Sequence, residues 1–326
     1  MEISKIFIKK SYKVIVFTEQ FDTRLKLKDS IQSIEIYRIP VGKENFLKKF
    51  RIWSQLWEYR GLIRKADIIH CHDVFFWYLP FRFLYPKKPV YTTFHGYEGN
   101  NLPSKKAIFM HKLAEKLSNG NICVGDYLKK WYGTKLDYVT YGAVEISNFI
   151  QSAGSRQILN KKKKTSAVFI GRLDEQTGIS TYVDAVKLIR KKVSDFNFVV
   201  IGDGKFKKEI QKEVRTLGWI KNPESFFQKY HFAFVSRYLS ILEAMASRRL
   251  VFAVYDNPIK EDYLRLSPFA KFINILSSKE ELSSLVFYFL DHPNKEKAMV
   301  YKAFDWVKIQ SWDKVSQLYI NLWREK

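Results

Sequence analysis

Cysteine is scarce in this chain of 326 residues, and long apolar runs are lacking. Only Cys71 and Cys123 occur, both in apolar strand-like segments, which excludes a disulfide-stabilised scaffold and argues against a zinc site. The longest apolar run, VFFWYLPFRFLY, is too short for an ordinary transmembrane helix and contains Pro80 and Arg82. The N-terminus interleaves lysines with apolar residues, unlike a signal peptide. These absences favour a protein of the reducing cytoplasm.

Acidic residues are also few: 33 Asp and Glu oppose 56 Lys and Arg, which gives a net charge of +23. Such an excess favours anionic partners, namely nucleic acid, anionic lipid headgroups or phosphorylated substrates, although it is equally typical of lysine-rich proteomes. Nothing in the chain resembles a nucleic-acid-binding module, so a nucleic-acid-binding protein is the weakest alternative and no specific nucleic acid is expected. The length and the 46% of hydrophobic residues suffice for two domains.

Short apolar runs rich in β-branched residues alternate with longer segments of helical period along the whole chain. The strands predicted in the first half are 13–18, 34–39, 66–71, 89–95, 120–125 and 137–142. Those predicted in the second half are 166–171, 196–202, 214–219, 230–236, 250–255 and 270–276. Continuous apolar strands separated by helices indicate parallel sheets covered on both faces. We therefore predict an α/β protein with two Rossmann-like, doubly wound domains and a ligand cleft between them.

The polar segment 151–165, QSAGSRQILNKKKKT, interrupts this alternation and is predicted to be the linker. Residues 1–150 then form the N-terminal domain and residues 166–300 the C-terminal domain. Residues 301–326 are expected to form closing helices that pack back on the first domain.

Three turns that follow predicted strands carry the chemistry. The first, starting at Gly171-Arg172 and leading to a helix, offers free N–H groups, a helix dipole and a guanidinium to a phosphate. The second is Gly202-Asp203-Gly204, where glycines allow a tight turn and the close approach of a ligand. The third is SRYLSILEAMA, where loop amides could bind a diphosphate and Glu243 the ribose hydroxyls. Alternatively, Arg172 pairs with Asp174 or Glu175, and Glu243 completes a capping box with Ser240 as the N-cap.

In their order and spacing, GRLDEQTGI, VVIGDG and SRYLSILEAMA resemble the C-terminal domain of the retaining GT-B glycosyltransferases of family four. ADIIHCHD, PVYTTFHGYEG, ICVGDYLKKWYG and DYVTYGAVE look like the successive N-domain elements of that family, and SWDKVSQLYINLW like its closing helix. The resemblance spans about residues 10 to 326. It implies metal-independent transfer of a sugar from a nucleoside-diphosphate donor to a hydroxyl group of a glycan or lipid-linked acceptor, with no separate cofactor.

Carried over residue by residue, the resemblance places His95 at the cleft as the catalytic residue. The residues implied to bind the donor diphosphate are Gly171, Arg172, Thr177, Leu239 and Ser240. The residues implied to bind the donor nucleoside are Gly202, Asp203, Gly204 and Glu243. His70 and His72 alternate along a strand end, but no carboxylate or thiolate set completes a metal site, so none is predicted.

The chain departs from the family in three places. Thr177 stands where the family usually has a phosphate-contacting lysine, and Val235 where it commonly has a second glutamate. The first strand and its glycine-rich loop are missing, through a truncated gene model or genuine loss, so MEISKIFIKK is interpreted as the end of the first helix and an unpaired sheet position is expected. A degenerate member that binds a nucleotide-sugar or a partner without catalysis is therefore the main alternative.

The segment 75–88 is aromatic with basic residues towards its end. It could lie on an anionic membrane surface and meet a lipid-linked acceptor, which would make the protein peripheral at the inner face of the membrane. The alternative is an ordinary core helix followed by a strand.

Overall fold

The computed structural model describes residues 2–42, 47–97, 101–150 and 165–325. The predicted linker, except for its last residue, lies outside these ranges. The strands are β1 (Ile15–Glu19), β2 (Lys28–Ile31), β3 (Ile34–Ile39), β4 (Ile69–His72), β5 (Val90–Phe94), β6 (Gly120–Val124), β7 (Tyr138–Thr140), β8 (Ser166–Ile170), β9 (Asn197–Ile201), β10 (Arg215–Thr216), β11 (Phe232–Phe234), β12 (Leu250–Val254) and β13 (Asn274–Leu276).

Helices fill most of the intervals between the strands. They are α1 (Glu2–Lys9), α2 (Lys48–Glu58), α3 (Arg60–Lys65), α4 (Phe75–Leu84), α5 (Lys105–Leu117), α6 (Tyr127–Tyr132), α7 (Ser147–Ile150), α8 (Ile179–Arg190), α9 (Lys207–Glu213), α10 (Tyr238–Ala246), α11 (Pro258–Arg265), α12 (Lys279–Asp291), α13 (Pro293–Val307) and α14 (Trp312–Glu325). None of these helices is both long and apolar enough to cross a bilayer.

The second half of the chain contains one six-stranded sheet in the order β10-β9-β8-β11-β12-β13, and all of its neighbouring strands run parallel. Every residue of β8, β11 and β12 is buried, because helices cover both faces of the sheet and the strands are continuously apolar. The carboxyl ends of these strands, and the loops that follow them, therefore meet along one edge.

The first half contains two sheets. One is parallel, in the order β4-β5-β6-β7, whereas the other has the order β1-β3-β2 with β2 antiparallel to β3. Within the described residues β1 pairs only with β3 and β4 only with β5, so both are edge strands. An unpaired sheet position in this half was predicted from the sequence.

Two local details differ from the prediction. β2 was not predicted, because its sequence KDSI is polar and mostly exposed and lacks the apolar run of a core strand. The segment 46–66, which has a continuous helical period in the sequence, is divided into α2 and α3 at Tyr59, whose backbone leaves the helical region.

The two halves are in direct contact. In one continuous apolar core, Tyr97 and Tyr127 of the first half pack with Tyr263 of the second. At the margin of that core, the indole of Trp131 donates to Asp262 at 2.9 Å. The last helix, α14, returns to the first half and packs against α1, β6 and β7. These contacts bring loops of both halves to a common junction.

Candidate functional site

Glycines allow the backbones of the loops after β8 and β9 to pack directly against each other. A Cβ added to Gly202 (φ +145°) would lie 1.8 Å from the Gly171 carbonyl oxygen, and one added to Gly204 (φ +153°) would lie 2.6 Å from that of Leu173. The Gly171 N–H group donates to the Ile201 carbonyl at 3.1 Å. Only glycine allows this close approach in that conformation, so both glycines shape the edge of the sheet.

Arg172 borders a hollow of about 450 Å³ at this edge. Its side chain is 63% exposed, with Nε 3.2 Å from Asp174 Oδ2 and Nη2 donating to Gln176 Oε1 at 2.9 Å. The pairing with Asp174 proposed as an alternative is thus present, and it coexists with access to solvent. The lining residues of the hollow are Arg172, Asp174, Glu175, Gln176, Asp203, Gly204 and Lys205.

Thr177 has a different environment from its neighbour Arg172. It is buried, and its hydroxyl lies 2.8 Å from the carbonyl oxygens of both Arg172 and Asp174. Because a hydroxyl carries a single hydrogen, these carbonyls occupy the donor that a phosphate would need. In this structure Thr177 shapes the loop.

Helix α10 begins three residues before the start that an N-cap at Ser240 would give. Its N-cap is Arg237, whose side chain makes no capping bond, and Ser240 lies inside the first turn. The alternative in which Ser240 and Glu243 form a capping box is therefore wrong. Leu239 and Ser240 lie in the turn whose N–H groups point out of the helix end.

Glu243 lies on α10 and has no hydrogen-bond partner among the described side chains. Burial, and to a smaller extent the nearby carboxylate of Glu224, raises the pKa of Glu243 to about 7. A partly buried carboxylate without a protein donor is suited to accept hydrogen bonds from a ligand, such as the hydroxyls of a ribose.

His95 follows β5 in the first half and pairs with a second histidine. Its Nε2 lies 2.8 Å from Nδ1 of His72, and its backbone N–H donates to Asp73 at 2.7 Å. Burial, followed by the charge of His95, lowers the pKa of His72 to about 3, and burial lowers the pKa of His95. Both residues nevertheless keep solvent-exposed surface. Neutral imidazoles at a strand end can accept a proton or orient a hydroxyl group.

Both ring nitrogens of His70 form hydrogen bonds with other side chains. The indole N–H of Trp323 donates to its Nδ1 at 3.0 Å, so Nε2 carries the proton and donates to Thr93 Oγ1 at 2.8 Å. Burial holds the pKa of His70 well below its usual range. Across the described ranges, no group of three or more His, Cys, Asp or Glu side chains could hold a metal ion.

The structure thus brings Arg172, Asp203 and Gly204 together in one hollow. Glu243 does not line that hollow and lies on the side of α10 near Glu224. His95 belongs to the opposite half, two residues before Tyr97, whose carbonyl accepts from Gln176 Nε2 at 3.1 Å.

Sequence reasoning missed three cations at the same edge, namely Lys205, which lines the hollow beside Glu175, and Arg237 and Lys260. Arg237 lies within the SRYLS segment directly after a predicted strand, a position that could have indicated it. Lys260 carried no comparable signal, because its burial results from packing that the sequence does not display.

Two contacting α/β halves, each with helices packed on parallel strands, define the GT-B class of fold. Over almost the whole chain this fold matches HepE of Anabaena, solved with UDP and glucose: the identity is 14%, the coverage 100% of this chain and 94% of that one, and the TM-score 0.75. A glycosyltransferase of Rickettsia africae matches with 14% identity, 99% and 93% coverage and a TM-score of 0.71.

Sequence comparison finds glycosyltransferase models and one relative that match parts of the chain. The model "Glycosyltransferase Family 4" matches residues 1–139, and "Glycosyl transferases group 1" matches residues 164–261. An uncharacterized glycosyltransferase of Methanocaldococcus jannaschii is 30% identical over 200 residues, which are 57% of this chain and 52% of that protein. The match thus spans about half the length of this curated relative. Two glycosyltransferase family models thus match successive parts of the chain, and its fold is that of the GT-B glycosyltransferases.

Proposed function

We propose that this protein transfers a sugar from a nucleoside diphosphate to a hydroxyl group of a glycan or lipid-linked acceptor, with retention at the anomeric carbon as in family four. This proposal rests on one observation: the guanidinium of Arg172 borders a hollow that the loops after β8 and β9 build. Solved relatives with the same fold contain UDP with glucose or with GlcNAc, which supports a nucleotide-sugar donor.

The chemistry requires stabilisation of the diphosphate as it leaves the sugar. Arg172 and the N–H groups of Leu239 and Ser240 supply positive charge and hydrogen bonds for this purpose, so the proposed reaction needs no bound metal ion. Glu243 orients the nucleoside through its ribose hydroxyls. His95 faces the acceptor side and positions or deprotonates the attacking hydroxyl group.

The test incubates the protein with uridine, guanosine and adenosine diphosphate sugars and measures nucleotide release and the anomeric configuration of the product. We expect one donor to be used, and Arg172→Ala to slow release about 10²–10³-fold. Arg265→Ala is the matched control, since Arg265 is an exposed arginine of the same half that also pairs with an acid. Ligand-induced stabilisation without release would instead identify the non-catalytic alternative.

We further propose that the first half contacts an anionic membrane surface. Phe75, Trp77 and Phe81 are buried, so most of α4 belongs to the core. This burial supports the alternative interpretation, an ordinary core helix, for the beginning of the segment 75–88. Exposed aromatic side chains nevertheless occur on α4 and its neighbours α2 and α5. They are Phe50, Trp57, Phe83 and Phe109. Basic residues accompany them, as on proteins that bind the interface of a bilayer.

Co-sedimentation with anionic and zwitterionic liposomes tests this contact. We expect preferential binding to anionic liposomes, weakened in the double variant Phe83→Ser/Phe109→Ser. Trp219→Ser is the control, because Trp219 is 74% exposed but lies on the second half. Equal binding to both lipids would contradict the proposal.

Cys71 and Cys123 are free thiols, which supports a location on the reducing, cytoplasmic side.

A further inference from the structure

Arg237 lies beside Arg172, although the two residues come from different loops. Arg172 Nη2 and Arg237 Nη1 approach the same atom, Gln176 Oε1, at 2.9 and 3.5 Å. Two guanidinium groups that reach one oxygen atom are close enough to bind a single diphosphate. Like charges repel, and only the shared Gln176 oxygen and the carboxylate of Asp174 beside Arg172 offset this repulsion, so a bound anion would stabilise the pair further.

Lys260 places a buried amino group behind this pair. Only 1% of its surface is exposed, its Nζ donates to the Ser236 carbonyl, and it lies 4.4 Å from the centre of the Tyr263 ring. Arg237 approaches the same ring at 5.3 Å. Neither cation forms a salt bridge within the described part of the chain. Burial, followed by the charge of Arg237, holds the pKa of Lys260 well below its usual range.

Two hydroxyl groups of the first half complete these surroundings. The rings of Tyr97 and Tyr127 contact that of Tyr263. Both hydroxyls are buried and have no hydrogen-bond partner among the described residues. Burial raises the pKa of each, so they remain protonated and can donate. Unpartnered buried donors are costly, and an anion with several acceptor oxygens would satisfy them.

The position of Thr177 explains why another cation is needed. Thr177 carries no charge, and its hydroxyl already contacts two backbone carbonyls. A diphosphate at this edge would meet only Arg172 from the first loop. Arg237 brings a second charge from the loop after β11, at the N-terminus of α10, where the helix dipole also favours an anion.

We propose that Arg237 is the second diphosphate-binding cation of this protein, and that Lys260 acts behind it as a positioning residue. Arg237 contacts the anion together with Arg172, and Lys260 holds the Ser236 carbonyl next to Arg237. Tyr97 and Tyr127 supply hydroxyl donors from the first half, so the pocket is completed by both halves. The inference rests on the proposed function, because it assigns this anion to the donor.

Inorganic pyrophosphate is the probe, since it has neither sugar nor nucleoside and does not depend on Glu243. Calorimetric titration should show that wild-type protein binds it, and that Arg237→Met weakens binding about tenfold or more. Arg237→Lys should restore part of the affinity, because the charge returns without the planar fork. Arg265→Met is the control and should bind as wild type does.

Lys260→Met separates a functional role from a structural one. Removing an unpaired buried charge should leave the Tm of the unliganded protein unchanged or higher, while pyrophosphate affinity falls several-fold. A lower Tm with unchanged affinity would show that Lys260 only supports the fold, and would overturn its assignment. Unchanged affinity in Arg237→Met, or no pyrophosphate binding by wild type, would overturn the whole inference.

Failure of the inference can be told apart from failure of the proposed function. If Arg237→Met turns over a sugar nucleotide as wild type does, the function stands and the assignment of Arg237 is wrong. If pyrophosphate binding depends on Arg237 and Lys260 while no sugar nucleotide is bound, the anion pocket stands and the proposed donor is wrong.

Discussion

The two halves share a plan of helices on parallel strands, but the second is continuous and the first is divided. Six strands form one sheet in the second half, with the central strands fully buried. In the first half two sheets end in the edge strands β1 and β4. Continuity aligns the loops after β8, β9, β11 and β12 along one edge, which is what a fixed anion site requires.

The halves also differ in where they place polar groups. The second half directs Arg172, Arg237 and Lys260 to the junction. The first half contributes neutral groups there, the imidazole of His95 and the hydroxyls of Tyr97 and Tyr127. This division matches a reaction in which one side stabilises a leaving diphosphate and the other receives an uncharged hydroxyl group.

The largest expected effect breaks the rigid edge of the second half. Gly202→Ala would place a Cβ 1.8 Å from the Gly171 carbonyl oxygen, at a φ of +145°. We expect the free energy of unfolding to fall by at least about 3 kcal/mol, measured by urea denaturation. Gly61→Ala in α3 of the first half is the matched control, because a Cβ there meets nothing within 4 Å. It should stabilise by roughly 0.5 kcal/mol. Equal midpoints would contradict the proposed contrast.

A smaller effect is expected where α14 is bonded to the first half. Trp323→Phe removes the indole donor to His70 Nδ1 and leaves a buried acceptor unpaired. The free energy of unfolding should fall by about 2 kcal/mol, again measured by urea denaturation. Trp219→Phe, at an exposed site of the second half, should change it by less than about 0.5 kcal/mol. If both variants change the free energy of unfolding equally, the hydrogen bond from Trp323 to His70 does not stabilise the packing of α14 on the first half.

Much of the second half could be predicted from the sequence, because continuous apolar strands carry their own signal. The runs SAVFIG, FNFVVIG and LVFAVY each became a parallel strand at the expected position. In the first half, β2 was missed because its exposed, antiparallel sequence KDSI has no such run. The start of α10 was misplaced because Ser240 is a good N-cap in isolation, whereas Tyr238 N–H instead finds the Tyr263 hydroxyl at 2.8 Å.

The site was predictable only as far as local motifs reach. Arg172 and Gly202 follow strands and could be recognised from the turns they form. The charge environment depends on residues far apart in sequence: Lys260 is buried by packing around Tyr263, and the unpartnered hydroxyl of Tyr97 comes from the other half. Burial of that kind has no signature in composition or spacing.

The smallest expected effect concerns pH and a single carboxyl group in the second half. Because the pKa of Glu243 is about 7 in the folded protein and near 4.5 in the unfolded chain, the folded state binds more protons between these values. The contribution of Glu243 to the free energy of unfolding is therefore largest below pH 4.5, and it is lost as the pH rises through 7. Glu243→Gln cannot ionise, so at pH 8 it should be more stable than wild type by on the order of 1 kcal/mol.

The same titration should govern binding, with the opposite sign. The ionised form of Glu243 accepts hydroxyl hydrogen bonds more strongly than the protonated form, so nucleoside diphosphate affinity should fall as the pH drops below about 7. In Glu243→Gln the affinity should be lower at pH 8 and lose most of this dependence, while pyrophosphate binding is unchanged. Glu209→Gln, on the exposed first turn of α9, is the control. A wild-type affinity that is flat between pH 5.5 and 8 would separate Glu243 from the nucleoside and leave the anion pocket as the only ligand site of this half.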